Sequence, residues 1–81
     1  DIELLIYSVP TGAQSLKFPP HKKGALAIFY VLPGALKIHA GNDIFELYQG
    51  DSAVITVDVE HWFLNSGDTT AEFTLLILDT H

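Results

Sequence analysis

Gly50-Asp51-Ser52-Ala53-Val54-Ile55-Thr56-Val57-Asp58-Val59-Glu60-His61-Trp62-Phe63-Leu64-Asn65 is the stretch that decides the fold. A Gly-Asp turn opens it. Residues 52–57 then form an apolar strand rich in β-branched side chains, which suit a pleated surface. Residues 61–64 read as a second, shorter strand, and Ser66-Gly67-Asp68 turns the chain again. His61 and Asn65 sit at the far end of this unit, four residues apart.

The same grammar continues outward in both directions. Residues 1–9 alternate loosely and end at Pro10-Thr11-Gly12. Residues 14–18 read as a short strand stopped by Pro19-Pro20. Residues 25–32 are strongly apolar, and Phe29, Tyr30 and Val31 favour strand over helix. Pro33-Gly34 is a turn. Residues 35–40 alternate Leu36 and Ile38 with Lys37 and His39, so this strand is expected to be half-buried with His39 exposed. Gly41-Asn42-Asp43 is a tight hairpin signal, residues 44–48 follow, and residues 71–78 close the fold. About eight short strands at roughly eight- to ten-residue spacing predict an all-β barrel or sandwich, with no helix longer than about two turns.

Composition narrows the function. Eighty-one residues make one domain, residues 1–81, near the size at which a single core is marginal without help. There is no cysteine, so neither a disulfide nor a thiolate-bound metal can supply that help. At 48% hydrophobic residues against 17% charged, the chain folds and has apolar surface to spare for a homodimer interface. Four Lys plus Arg against ten Asp plus Glu give a net charge of −6, which excludes binding to a phosphate backbone or an anionic membrane by this domain alone. No segment reads as a signal peptide or membrane span, and a cytoplasmic location is expected. The chain begins at Asp1 and contains no methionine, as expected for a piece of a longer protein.

Tyr30-Val31-Leu32-Pro33-Gly34, then Leu47, Gly50-Asp51, and then His61 with Asn65, resemble in order and spacing the two motifs of the small single-domain cupins. The resemblance covers about residues 21–78 and is nearest to the C-terminal sensor domains of bacterial XRE-class helix-turn-helix regulators. In that subgroup a Pro-His-x-x-Gly-x-x-Glu run often precedes the Val-Leu-x-Gly turn; the matching residues are Pro20, His21, Gly24 and Ala27. Asp58 stands three residues before His61, where the subgroup often has Asp and other cupins have Gly. The resemblance implies a double-stranded β-helix, or jelly-roll, barrel with His61 lining its interior.

The departures are as informative. The first cupin motif normally supplies two histidines and a glutamate, which bind a divalent metal together with the second-motif histidine. Here His21 matches the first histidine, but Lys23 replaces the second and Ala27 the glutamate. Two imidazoles, His21 and His61, are too few for a tight centre, which typically has three protein ligands, so no metal or other cofactor is expected. What the alignment and strand parity leave is a candidate apolar pocket of His21, Ala27, Phe29, Val31, His61 and Phe63, with His61 as polar anchor. Trp62 and Tyr30 have the opposite parity and should face outward, toward a partner subunit. Asp51 and Asp58 read as turn and cap residues. No Ser-His-Asp order, phosphate loop or catalytic carboxylate pair is present, and neither His39 nor His81 is assigned a role.

The resemblance therefore implies a non-catalytic domain that senses a small-molecule effector and dimerises, with DNA contacted only by a helix-turn-helix part outside this sequence. Two alternatives stay open. One is a small cupin isomerase or oxygenase with an atypical metal site. The other is a structural cupin whose filled barrel holds no ligand.

Overall fold

In the computed structural model, which describes residues 2–78, the alternation resolves into seven strands: β1 (Ile2–Val9), β2 (Leu26–Val31), β3 (Ala35–Ala40), β4 (Asp43–Tyr48), β5 (Ser52–Thr56), β6 (His61–Leu64) and β7 (Ala71–Leu78). Asp1 and His81 lie outside the described residues. No helix occurs among the described residues. The strands form two antiparallel sheets, one ordered β1-β7-β2-β5 and the other β4-β3-β6. This is the all-β jelly-roll barrel expected from the strand spacing.

Period-two alternation sets what lies between the sheets. Ala27, Phe29 and Val31 on β2, Leu36 and Ile38 on β3, and Phe73, Leu75 and Ile77 on β7 all point inward and are buried. The interior is joined by ring contacts. Phe63 lies 5.3 Å from Phe73, 5.5 Å from Phe29 and 5.8 Å from Tyr7, centroid to centroid. Tilted and edge-on pairs of this kind add to the burial of the rings themselves.

The turns follow their residues. Gly41, at φ +59°, with Asn42 at negative φ makes a two-residue II′ hairpin between β3 and β4. Asp51 closes the β4–β5 turn by accepting a hydrogen bond from the Tyr48 N–H at 2.8 Å, and Asp58 accepts one from the Gly24 N–H at 3.1 Å. Both aspartates are thus the turn and cap residues the sequence suggested. Gly34 has φ +95°, and a Cβ there would lie 2.8 Å from both the Ala71 Cα and the Thr70 carbonyl oxygen. The β2–β3 turn therefore packs its backbone directly on the start of β7.

One expected strand is not formed. Residues 14–18 make an extended arm along β6 with isolated bridges at Gln14 and Phe18 only. The Ser15 and Phe18 N–H groups reach the Phe63 and His61 carbonyls, so the arm uses three residues where β6 uses two. At the bulge the Phe63 N–H donates to the Ser15 hydroxyl rather than to a carbonyl, and the ladder breaks.

Asn65 ties the arm to the barrel. It is fully buried and all its polar groups are engaged. Its Nδ2 donates to the Val9 carbonyl at 2.9 Å and the Thr69 carbonyl at 2.7 Å, and its Oδ1 accepts from the Gly67 N–H at 2.9 Å. Its backbone N–H donates to the Ala13 carbonyl and its own carbonyl accepts from Gly12. Asn65→Ala removes the side-chain partner of the buried Val9 carbonyl and of the part-buried Thr69 carbonyl and should cost about 2 kcal/mol. Gly34→Ala should cost at least about 2 kcal/mol, from strain and backbone overlap. Urea denaturation checks both: the midpoint should fall with an unchanged slope, whereas Ser66→Ala, at an exposed position, should leave it within about 0.5 kcal/mol.

Candidate ligand site

β6 and the arm build the polar end of the interior. His61 is the first residue of β6 and is 4% exposed, with its side chain on the inner face beside Phe63. The arm brings Phe18 against it, with ring centroids 5.5 Å apart, and bridges its backbone in both directions. Beyond Pro19-Pro20, the His21 N–H donates to the Val57 carbonyl at 2.9 Å. That bond seats the His21 ring against His61, at 5.4 Å and an interplanar angle of 26°. Two histidines forty positions apart in sequence thus become stacked neighbours.

The six residues singled out from sequence fall as follows. Ala27, Phe29 and Val31 on β2 and His61 and Phe63 on β6 are buried on the inner faces, and His21 is half-buried at the edge. His61 and His21 touch each other, and Phe63 touches both His61 and Phe29. Phe18 was missed: it belongs to the same cluster, contacting both His61 and Phe63. A lone aromatic ahead of Pro-Pro is its only trace in the sequence. Lys23 is exposed and supplies no charge to the interior. Two clefts open elsewhere, and none of the six lines either of them. One, of about 470 Å³, lies between the β3–β4 turn and β5, with Phe45, Val54 and Asp58 in its wall. The other, of about 200 Å³, lies beside Leu47, Tyr48 and Gly67.

The outward-facing aromatics divide between the sheets. Tyr30 stands on the outer face of the four-stranded sheet and Trp62 on that of the three-stranded sheet. Trp62 is already covered by its own chain. His39 stacks on it at 4.6 Å and 7°, and the Lys17 Nζ lies 4.9 Å above its ring. His39 faces away from Leu36 and Ile38 as the alternation requires, but the indole leaves it half-buried rather than exposed.

The electrostatics of His61 follow from its burial. Removal from water holds its pKa below the ordinary 6.5, and the neighbouring His21 pushes it the same way, while the bond to the Val59 carbonyl opposes both. The ring is neutral at pH 7. Its Nδ1 lies 2.9 Å from the Val59 carbonyl, which can only accept, so the proton sits on Nδ1. Nε2 is then a hydrogen-bond acceptor.

Comparison with known proteins places this geometry in context. The profile of a family described as "Cupin domain" matches residues 5–78. No curated protein matches the chain. Among solved structures, the cupin domain of an XRE-family transcriptional regulator from Enterobacter cloacae superposes with a TM-score of 0.89 at 22% identity, covering 99% of this chain and 83% of that one. An HTH_3-family transcriptional regulator from Vibrio cholerae gives 0.87 at 21% identity, with this chain covering 44% of its length and 99% of this chain aligned. A predicted oxalate decarboxylase from Thermotoga maritima gives 0.78 at 22% identity, over 95% of this chain and 65% of that one. At these identities the likeness is one of fold.

The fold's metal does not fit this donor set. Ala27 presents a buried methyl group where the motif has glutamate, and Lys23 stands in solvent where it has histidine. The two remaining imidazoles lie close to face to face, and among the described residues no group of three His, Cys, Asp or Glu side chains converges. Protein purified without chelator should therefore carry well below one equivalent of zinc, iron, manganese or nickel. A full equivalent lost in His61→Ala would overturn this. The pH dependence of folding is a second test. His61 binds its proton less readily folded than unfolded, so its stabilising contribution is complete above about pH 6.5 and is lost as pH falls through the lower folded value. Wild-type stability should decline below pH 6.5, and His61→Gln should flatten that decline in urea titrations across pH 5–8.

Proposed function

This chain belongs to the cupin-domain family, and on that premise we propose that it is a non-catalytic, ligand-sensing and dimerisation domain of a bacterial cytoplasmic transcriptional regulator. The observation that carries the reading is the stacked His21–His61 pair. It keeps a hydrogen-bonding edge inside the barrel while lacking the ligands a metal needs. The likeness in fold to the barrels of two regulators supports the regulatory context. DNA contact belongs to a part of the protein outside this sequence, since a domain of net charge −6 repels phosphate.

The effector occupies the barrel interior lined by His21, Ala27, Phe29, Val31, His61 and Phe63 and presents a donor to the His61 Nε2. The arm is the wall best able to yield. It is held by two isolated bridges rather than a full ladder, and its Phe18 ring covers His61. An apolar-bodied ligand that displaces Phe18 would take over its contacts. Such a ligand favours the arm-open state by its difference in affinity for the two states, which is what a sensor requires. One observation favours a second reading, a structural cupin without ligand: the interior is occupied by mutually packed rings, and neither cleft reaches the histidine pair.

A thermal-shift panel of small aromatic and branched aliphatic alcohols, amides and acids separates the two. Sensing predicts at least one compound that raises the wild-type melting temperature. The shift should be lost in His61→Ala, which should still fold at a cost of about 1–3 kcal/mol for the lost packing on Phe18 and His21. A panel that shifts neither protein, or both equally, sinks the sensing reading.

A further inference from the structure

The outer face of the four-stranded sheet carries an apolar row that no part of the described chain covers. Strand register sets Leu4 opposite Leu76, Leu76 opposite Ile28, and Ile28 opposite Val54. One aliphatic row therefore crosses all four strands. The next row adds Ile6 and Tyr30 on either side of Thr74. Leu4, Ile6 and Val54 are 66%, 74% and 64% exposed, far more than isolated surface aliphatics require. Glu72 is the single charged side chain on this face among the described residues. It sits at one end opposite Ser8, while Ser52 borders the β5 edge. An apolar centre with a polar margin is the anatomy of a protein–protein interface.

We infer that this face, centred on the Leu4–Leu76–Ile28–Val54 row, is the surface through which two copies of the chain associate. The inference rests on the dimerisation part of the proposed function and names its surface. Charge selects the occupant. Two chains of net charge −6 repel wherever their carboxylates meet, and this sheet, whose single carboxylate sits at its margin, is where they approach at least electrostatic cost. The four lysines lie in the arm, the following loop and β3, so this face offers nothing to an anionic lipid surface. Size also fits. Strands of eight residues (β1 and β7), six (β2) and five (β5), spaced about 4.8 Å apart at about 3.3 Å per residue, project roughly 430 Å². Two such faces cover about 850 Å², the size of a weak, concentration-dependent association. The opposite sheet is a poorer candidate, because Trp62 is capped by His39 and Lys17, and Lys37 and Glu46 lie beside each other at 3.9 Å.

Sedimentation equilibrium of the 81-residue chain from about 1 to 100 μM tests the assignment. Wild type should sediment at twice the chain mass at the upper end. Ile6→Lys and Val54→Lys each place two unpaired ammonium groups in the interface and should weaken association by at least about 100-fold. Both positions are largely solvent-exposed in the single chain, so the far-ultraviolet circular dichroism of each variant should match wild type. Ile44→Lys, at a residue 58% exposed on the other sheet, should remain dimeric. A wild type that stays monomeric removes the dimerisation reading and this inference together. A dimer that survives Ile6→Lys and Val54→Lys, or that Ile44→Lys disrupts, removes this inference alone. Cysteine labelling gives an independent arm, since the chain has no native thiol. Maleimide should modify Val54→Cys at least about ten-fold more slowly at 100 μM than at 1 μM, and Ile44→Cys at equal rates. Equal rates at both sites, or adsorption of the monomer to phosphatidylcholine vesicles in place of self-association, overturn it.

Discussion

The barrel depends on one fully satisfied buried amide. Asn65 directly follows β6 and hydrogen-bonds to the end of β1, the start of the arm and the β6–β7 turn. A buried amide left without partners would cost several times what a typical hydrogen bond contributes, so these segments are fixed together or not at all. Everything upstream follows from that corner. Because Gly12 and Ala13 are fixed to Asn65, the arm must run back along β6. Because it runs back along β6, Phe18 and His21 arrive at His61. An apolar residue of similar size at position 65, such as leucine, would fill the space but leave the Val9 and Thr69 carbonyls and the Gly67 N–H without their side-chain partner.

The site that results differs in kind from the metal centre its family motifs suggest. With a methyl group at position 27 and a lysine in solvent at position 23, the histidine pair loses the charge that would attract a cation. What replaces it is an aromatic interior in which Phe63 contacts His61, Phe18, Phe29, Phe73 and Tyr7. Burial among these rings also keeps the His61 imidazole neutral, and the Val59 carbonyl holds its proton on Nδ1. The histidine pair thus offers directional hydrogen bonding in an apolar setting.

The two outer faces follow different physics. On the three-stranded sheet, the chain covers its own large aromatic with an imidazole and a lysine, and the exposed Ile44 and Tyr48 on β4 flank the charged Glu46. On the four-stranded sheet, aliphatic side chains stand in register across every strand with no covering element among the described residues. A small barrel without a disulfide gains most from burying such a face.

Much of this was legible in the sequence because it is encoded locally. Turn residues at Gly34, Gly41 and Gly50-Asp51 mark where strands end, since few other residues adopt the required φ or bond back to the turn. Two-residue alternation separates Ala27, Phe29, Val31, His61 and Phe63, facing in, from Tyr30 and Trp62, facing out. Motif spacing at His61 and Asn65 carried the fold family. Parity, however, distinguishes inside from outside and not one sheet from the other, so the separation of Tyr30 from Trp62 appears only once the strands pair. The arm was misread as a strand because its apolar residues suit one, while the bulge depends on how three of its residues meet two of β6. His21 follows two prolines in a segment with no periodicity, so only tertiary contact could bring it to His61. Local sequence thus determined where the strands lie and which side chains face inward, through turn chemistry and alternation. The three-dimensional packing alone decided which inward residues meet and which outward face stays bare, because those contacts join positions tens of residues apart.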